Sequence, residues 1–371
     1  MRLSCKRAAD ELLVIDDTFY GWEEQNSCCG CIRLNSTNVT CENADNRENY
    51  ITLSTVRFRC QGLQQCDIPI EKDTFGDPCP DKRTYLEVTY HCEEKKESVT
   101  FGGAGKELGQ FQTVAGLTVS STNEIFVADQ RNERIQVFSM NGSFLRSFPT
   151  GSIKAVDITM GRNDTLWVVL YRGRSHKNSL HQNAIHQYSE DGDVLANFNC
   201  STKSRLHGIA WHQLSDRIIL TMEWGADAVW FSPSYTLTQA ASTCNMTRFA
   251  STGGGQLLQF VTVDREGDIL FTDWYNSRVL KYDKNGVYLS SFGSFGSGAG
   301  KLYNPSGICV DGLGRVIMAD TGNSRMEMFT AEGKHIRTVA YIHKPKHVAI
   351  GGEGQLVVSN QDHLVTILLK Y

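Results

Sequence analysis

Nine of the chain's twelve cysteines, Cys5, Cys28, Cys29, Cys31, Cys41, Cys60, Cys66, Cys79 and Cys92, lie in its first quarter, and only Cys200, Cys244 and Cys309 follow. Cysteine at that density either closes disulfides in a secreted domain too small to hold itself together or ligates zinc. Zinc would need a second Cys-x-x-Cys or a spaced histidine pair beside the tight group Cys28, Cys29 and Cys31. Neither is present, so disulfides are the expected chemistry. Six N-x-S/T sequons, at Asn35, Asn38, Asn141, Asn163, Asn199 and Asn245, point the same way, because N-glycans and disulfides are both added on the secretory route.

Charge narrows the partners. With 37 Lys and Arg against 41 Asp and Glu the net charge is -4, which gives no general pull toward nucleic acid or an anionic membrane. The best basic patch, Arg172, Arg174 and Lys177 in "YRGRSHKNSLHQNAIHQY", reads as a solvated inserted loop carrying His176, His181 and His186, or as a contact for an acidic partner. No GxSxG, HExxH, P-loop or Rossmann signature occurs. No run of 18 apolar residues is present, so no membrane-spanning helix is expected. The opening "MRLSCKRAADELLVIDD" lacks the apolar core of a signal peptide. The expectation is therefore an extracellular or cell-surface chain that is a fragment or an incomplete chain, with a cytoplasmic protein as the alternative.

These residues need a scaffold, and a repeat supplies it. "NEIFVADQRNERIQVFSMNGSFLRSF" (123–148) returns as "GDILFTDWYNSRVLKYDKNGVYLSSF" (267–292) and "GRVIMADTGNSRMEMFTAEGKHIRTV" (314–339). Each copy reads as strand, Asp-x-x-Asn-x-Arg, strand, Gly-containing turn, strand. Weaker copies place Asp129, Tyr171, Glu223, Asp273, Asp320 and Asn360 at equivalent positions, spaced 42, 52, 50, 47 and 40 apart. Six units of that size, each preceded by a further short strand such as "AGLTVS" or "KHVAIG", predict a six-bladed β-propeller. The last unit is one strand short at Tyr371, and Val99–Phe101 is expected to complete it and close the ring. Asp129, Asp273 and Asp320 could form a ring of carboxylates. The reading preferred is that each fixes its own turn through backbone N–H groups, while Arg134, Arg278 and Arg325 brace neighbouring blades.

The region 97–371 resembles the NHL-repeat β-propeller family, on "VADQRNERIQVF", "FTDWYNSRVLKY" and "MADTGNSRMEMF". Enzymes with this fold hold metal on histidines near the central channel, so the resemblance makes His207, His212 and Glu223 a conceivable metal site of a lyase or lactonase. The preferred alternative is a channel-lining or hydrogen-bonded His207, with no catalytic residue, metal or cofactor.

Residues 1–93 read as short strands, "LLVIDDTFYG", "YITLSTVRFRC" and "YLEVTYHC". In the last, Leu86, Val88 and Tyr90 share one face, and Tyr85, Glu87, Thr89 and His91 the other. "FGDPCPDKRTYLEVTYHC", "LSC", "TFYGW", "RFRC" and "QQC", in this order, resemble the SUEL-type, rhamnose- or galactose-binding lectin domain. The resemblance implies disulfides Cys5–Cys92, Cys41–Cys79 and Cys60–Cys66, and leaves Cys28, Cys29 and Cys31 without assigned partners. It also implies sugar-binding candidates Tyr20, Asp77, Lys82, Arg83 and Thr84. Trp22 stands where sugar binders have Arg, Asp81 where they have Gly, and Thr84 where they have Lys, so a core role for Tyr20 and a turn-capping role for Asp77 stay open. Cys200 and Cys244 are expected to bond within the third repeat unit, and Cys309 to be a buried thiol.

The sequence thus predicts a mainly β chain: a small disulfide-rich lectin-like domain over 1–93, then a propeller over 97–371. The expected function is extracellular recognition, with an extracellular protein or a cell-surface glycan as partner and no nucleic acid. Galactose- or rhamnose-type binding by the N-terminal domain is the first alternative, and a metal-dependent propeller lyase or lactonase the second.

Overall fold

A computed structural model describes residues 1–5, 11–24, 27–30, 52–53, 55–57, 59–75, 84–94, 97–174, 181–222, 227–233, 242–244, 246–251, 257–369 and 371. The chain divides into two compact units, the first built on Met1–Lys95, with which Thr321–Arg325 and Ala340–Lys344 are grouped, and the second on the rest.

In the first unit the long strand Glu11–Glu24 lies between Ser27–Gly30 and Tyr85–Glu94 in one antiparallel sheet, and Arg2–Ser4 pairs with Gln65–Asp67 in a second. Leu86, Val88 and Tyr90 pack into the core beside Leu13 and Ile15, as their alternation requires. A bulge between Ile15 and Asp17 interrupts the ladder. There Gln61 Oε1 accepts the Ile15 N–H at 2.8 Å, and Arg57 Nε donates to the Ile15 carbonyl at 3.0 Å. Disulfides Cys5–Cys92 and Cys60–Cys66 close this unit. Cys41, Cys79 and Cys31 lie outside the described residues.

One expected strand is a helix. The described residues of "YITLSTVRFRC", 52–53, 55–57 and 59–60, are helical. Leu53, Val56 and Cys60, spaced three and four apart, are 7%, 0% and 0% exposed, so one helical stripe fills the core. The β-branched residues suggested a strand, but this periodic burial outweighs their weak intrinsic preference.

Among the described residues the second unit forms six sheets. Blade one runs Val114–Val119, Glu124–Asp129, Arg134–Ser139 and Phe144–Pro149 from the inside outward. Blade two is Lys154–Met160, Leu166–Arg174, His181–Tyr188 and Val194–Thr202, and blade three is Leu206–His212, Arg217–Met222, Asp227–Phe231 and Met246–Ser251. Blades four and five begin with Leu258–Val263 and Pro305–Val310. Blade six joins Pro345–Ile350, Leu356–Asn360 and Leu364–Leu368 to Ser98–Gly102. Val99 sits opposite Ile367 and Phe101 opposite Val365, so the ring is closed by the segment that precedes blade one.

The second strands read as unbroken apolar runs because both sheet faces are covered: all five residues of Ile269–Asp273 and of Val316–Asp320 are buried. Ala115, Phe126, Val137, Leu166, Val168 and Tyr188 form one such cluster between blades one and two.

Two features of blade two differ from expectation. His181 and His186 belong to a strand rather than a loop, since His181–Tyr188 pairs with Leu166–Arg174 along its whole length and residues 175–180 lie outside the described set. The Cys200–Cys244 disulfide forms, but not inside blade three. Cys200 is on the outer strand of blade two. The segment Ser242–Thr243, from between the last two strands of blade three, pairs with that strand in parallel as a fifth member. The bridge therefore joins blade two to an excursion of blade three. Cys309 is a buried thiol.

Candidate functional site

The sugar candidates divide by what is described. Tyr20, on the strand Glu11–Glu24, is 2% exposed, with its ring 5.0 Å from that of Phe75. Thr84 Oγ1 donates to Tyr20 Oη at 3.2 Å, so the structure brings these two together beneath the surface. Asp77, Lys82 and Arg83 lie outside the described residues.

The repeat motif has a definite job in the second unit. Asp129 is fully buried; its Oδ1 accepts the Gln112 N–H at 3.0 Å, and its Oδ2 accepts Asn132 Nδ2 at 2.7 Å and Arg134 Nε at 2.9 Å. Asp273 repeats this with Asn276 Nδ2 at 2.8 Å and Arg278 Nε at 3.1 Å. Asp320 accepts the Tyr303 N–H at 2.7 Å. Each aspartate thus anchors the connection that enters its blade. Arg134 and Arg278 are first partners of their own aspartates, which corrects the expectation that they brace neighbouring blades. Arg134 Nη2 then donates to the carbonyls of Glu107 and Gln110, in the segment leading into blade one. A carboxylate with several donors already on it stabilises its turn and is not available as an open ring of ligands.

The central channel is where unlike groups meet. The six inner strands enclose a cavity of about 250 Å³ lined by Asp157, Phe260, Gly307 and His347 among others. Around its waist glycine alternates with a larger residue: Gly116, Asp157, Gly208, Phe260, Gly307 and His347, from blades one to six. A Cβ at Gly116 would stand 2.5 Å from Asp157 Oδ1, one at Gly208 2.4 Å from the Gln259 carbonyl oxygen, and one at Gly307 2.8 Å from His347 Cα. The three glycines let the neighbouring inner strand approach closely, the Asp157 carboxylate and backbone at Gly116 and the strand backbone at Gly208 and Gly307, and His347 and Phe260 meet edge-on at 5.3 Å. Asp157 is held by the Ile158 N–H at 2.9 Å and, across the blade boundary, by the Ile209 N–H at 3.1 Å. Sequence reading did not single out Asp157, Lys346 or His347. The available signal was charge or imidazole inside otherwise apolar innermost strands, "AVDITM" and "KHVAIG".

His207 and His212 are not gathered toward one point. His207 Nδ1 lies 3.1 Å from the Gln259 carbonyl. His212 uses Nε2 on the Gly267 carbonyl at 3.0 Å and Nδ1 on Ser215 Oγ at 2.8 Å, so both its nitrogens hold the fold. Glu223 lies outside the described residues. Among the described residues the metal-sized grouping is Cys5, Glu11 and Cys92, and its two sulfurs are joined to each other.

Burial shapes the charges in the channel. It pushes the Asp157 carboxyl up to about 7, against the two N–H donors and the positive charge of Lys346. Burial also pushes His207 down to about 4, with the Gln259 carbonyl opposing and Lys346 and Arg205 adding to the shift. A histidine depressed in the folded state contributes stability that is present above its ordinary 6.5 and is lost as pH falls through about 4. The loss from His207 corresponds to at most roughly 3 kcal/mol. The expected outcome is that His207→Gln, whose amide can still donate to Gln259, flattens the fall in Tm between pH 6.5 and 4. Thermal melts across that window check it, and an unchanged slope would contradict it.

A mainly β chain with a disulfide-closed unit and a six-bladed, repeat-built propeller is the class that this fold defines. A D-galactoside/L-rhamnose binding SUEL lectin domain matches residues 3–92, and an NHL repeat matches residues 111–138. A D-galactoside-specific lectin of Heliocidaris crassispina is 30% identical over 92 residues, a match covering 25% of this chain and 80% of that lectin. The chain belongs to the SUEL lectin family through this first unit. The E3 ubiquitin-protein ligase TRIM32 of Mus musculus is 25% identical over 290 residues, covering 72% of this chain. This chain spans 43% of that relative's length. Among solved structures, a streptogramin B lyase superposes with a TM-score of 0.53 at 12% identity, over 73% of this chain and 96% of the lyase. A Bacteroides thetaiotaomicron protein of unknown function reaches 0.58 at 11% identity over 95% of this chain and 90% of its own. Both likenesses are of fold.

Proposed function

We propose that the chain is a non-enzymatic recognition protein of the cell exterior, in which the propeller presents a protein-binding face and the lectin unit, residues 1–93, has little affinity for galactose or rhamnose. The SUEL match over 3–92, with a galactoside-specific lectin covered to 80% of its length, carries the assignment to recognition. Three features support the compartment: disulfides in the first unit, the further disulfide Cys200–Cys244 in the propeller, and sequon residues Asn141, Asn163 and Asn199, all exposed. Asn35, Asn38 and Asn245 are proposed with them on the sequence pattern alone.

The propeller face rests on apolar side chains carried by the loops beside the repeat motifs. Leu108, Tyr275 and Phe295 are 63%, 72% and 54% exposed next to the motifs of blades one, four and five. Aromatic and aliphatic anchors of this kind are what a protein partner buries. Little affinity for galactose or rhamnose follows from Trp22, Asp81 and Thr84 at the positions where sugar binders carry other residues, and from a tyrosine whose hydroxyl is already engaged by Thr84.

The second reading is galactoside or rhamnoside binding through Tyr20, Asp77, Lys82, Arg83 and Thr84, favoured by the family match. A glycan array, followed by titration with galactose and rhamnose, decides between them. The expected result is no hexose-competed signal from the intact, oxidised chain. Clear affinity that free galactose or rhamnose competes away would establish the second reading instead.

A further inference from the structure

We propose that one end of blade two binds a polyanionic polysaccharide, a sugar polymer bearing sulfate or carboxylate groups, on Lys154, Arg172 and Lys203; the inference rests on the reading above for the place where such a polymer is met, the cell exterior. The inner strands begin on the side that carries the Asp-x-x-Asn-x-Arg turns: Val114 pairs with Asp129 and, in blade two, Lys154 with Tyr171. Arg172 follows Tyr171 at a bulge in the second strand. Arg174 pairs with His181 of the third strand and His181 with Thr202 of the fourth, which Lys203 follows. The three cations thus stand at one end of four neighbouring strands, across about 14 Å of sheet. All three are exposed, and none forms an ion pair with a described residue. The sequence shows why: 149–156, 170–182 and 200–206, the segments that meet at this end, contain no Asp or Glu. Asp164, Glu190, Asp191 and Asp193 stand at the other end of the blade. Charge is therefore sorted along the strands. At the margin, Arg131 and Glu133 of the blade-one motif carry opposite charges, and the Glu133 carbonyl accepts the Thr150 N–H at 2.9 Å.

The surroundings select the kind of polymer. Buried Asn183 fastens the segment that carries Lys203: its Nδ2 donates to Thr202 Oγ1 at 2.8 Å, and its Oδ1 accepts the Leu206 N–H at 3.1 Å. The Tyr171 ring is covered, with the Arg205 guanidinium over it at 4.9 Å and the His181 ring 5.6 Å away. Among the described residues no exposed large apolar side chain lies at this end of the blade. Val194 and Leu195, at 54% exposed each, belong to the opposite end. A protein partner buries apolar and aromatic anchors at the centre of its interface, and single-stranded nucleic acid stacks its bases on aromatic rings. This end offers neither. A polyanionic sugar chain needs neither, since charge-assisted hydrogen bonds from ammonium and guanidinium groups meet its sulfates and carboxylates. At a net charge of -4 the chain as a whole repels polyanions, so attraction must come from a local patch such as this one.

Calorimetric titration of the full, oxidised chain with heparin tests this, with hyaluronan, poly-L-glutamate and poly-uridylate as further arms at matched charge and ionic strength. The expected result is saturable heparin binding that weakens as salt rises, with the other two polymer classes bound less tightly. Hyaluronan bound as well as heparin assigns carboxylate recognition, and heparin bound alone assigns sulfate. The triple variant Lys154→Gln, Arg172→Gln, Lys203→Gln is expected to weaken heparin binding at least about tenfold and to flatten its salt dependence. The charge-matched control Arg265→Gln, Lys284→Gln, Lys334→Gln, exposed positions on blades four and five, is expected to bind as the wild type does. If the triple variant does not fold, its three single substitutions carry the same test, each with an expected loss of about two- to threefold. The proposal is overturned if heparin does not bind, if the patch variants bind as the wild type does, or if the control loses as much. Tighter binding of poly-L-glutamate or poly-uridylate overturns it in favour of an acidic protein or a nucleic acid. Galactose and rhamnose are not expected to compete with heparin, so failure here is distinguishable from failure of the lectin-unit reading.

Discussion

Alanine at Gly307 is expected to destabilise the propeller by about 3 kcal/mol, at the upper end of ordinary overpacking. The added Cβ would stand 2.6 Å from the Lys346 carbonyl oxygen, 2.8 Å from His347 Cα and 2.9 Å from Val348 N. All three are backbone atoms of the neighbouring inner strand, so no change of rotamer relieves the contact. The inner strands of blades five and six must separate, and the waist of the ring opens with them. Adding His347→Ala is not expected to rescue the variant, because the imidazole is not what the methyl strikes. Gly298→Ala is the control: its Cβ meets only Lys301 Cγ, at 3.9 Å, and the substitution is expected to be neutral or slightly stabilising. Chemical denaturation of the three variants against the wild type separates close packing from a general intolerance of glycine loss. Wild-type stability for Gly307→Ala would refute the alternating waist as a packing device.

That waist was not visible in the sequence, for a physical reason. Gly116, Gly208 and Gly307 look like turn punctuation in a chain with 33 glycines, and only the ring places them between Asp157, Phe260 and His347. The blades themselves were legible because the repeats write their strand pattern locally, and those of blades one, four and five their Asp-x-x-Asn-x-Arg turn as well. The closure by Val99–Phe101 was legible because residues 97–111 echo the boundary at 289–305. Partners distant in sequence were harder. Arg134 was expected to reach another blade, yet its own Asp129 is closer and needs its charge. Cys200 and Cys244 could be paired, but not placed, because the parallel strand Ser242–Thr243 lies inside a stretch with no repeat pattern. In the first unit the cysteine order resembled the SUEL family, and two of the three expected disulfides fall on described residues and form. The helix within 52–60 was missed because Ile51, Thr52, Thr55 and Val56 carry strand preference while Leu53, Val56 and Cys60 carry the helical stripe that the core selects.

Removing the Asp129 carboxylate is expected to cost more than any surface substitution in the chain. Asp129→Ala leaves the Gln112 N–H, the Asn132 amide and the Arg134 guanidinium without their shared acceptor, in a place where Asp129 itself is fully buried. Breaking a buried pair by deleting one partner typically costs about 3–5 kcal/mol, because the surviving charge stays desolvated. Arg134 is 15% exposed and keeps the Glu107 and Gln110 carbonyls, which offset part of that loss. Asp129→Asn is expected to be milder, since an amide oxygen can still accept from Gln112 while the charge on Arg134 goes unanswered. A double-mutant cycle with Arg134→Met measures the pair: a coupling of about 1 kcal/mol or more is expected for groups in direct contact. Coupling near zero would mean that Asp129 acts through Gln112 and Asn132 alone. The same cycle at Asp273 and Arg278 should return a smaller coupling, because that bond is longer, at 3.1 Å against 2.9 Å, and Arg278 is more exposed, at 31%. The order of the two couplings therefore tests whether the repeat's ion pair, rather than its turn alone, fastens the connection entering each blade.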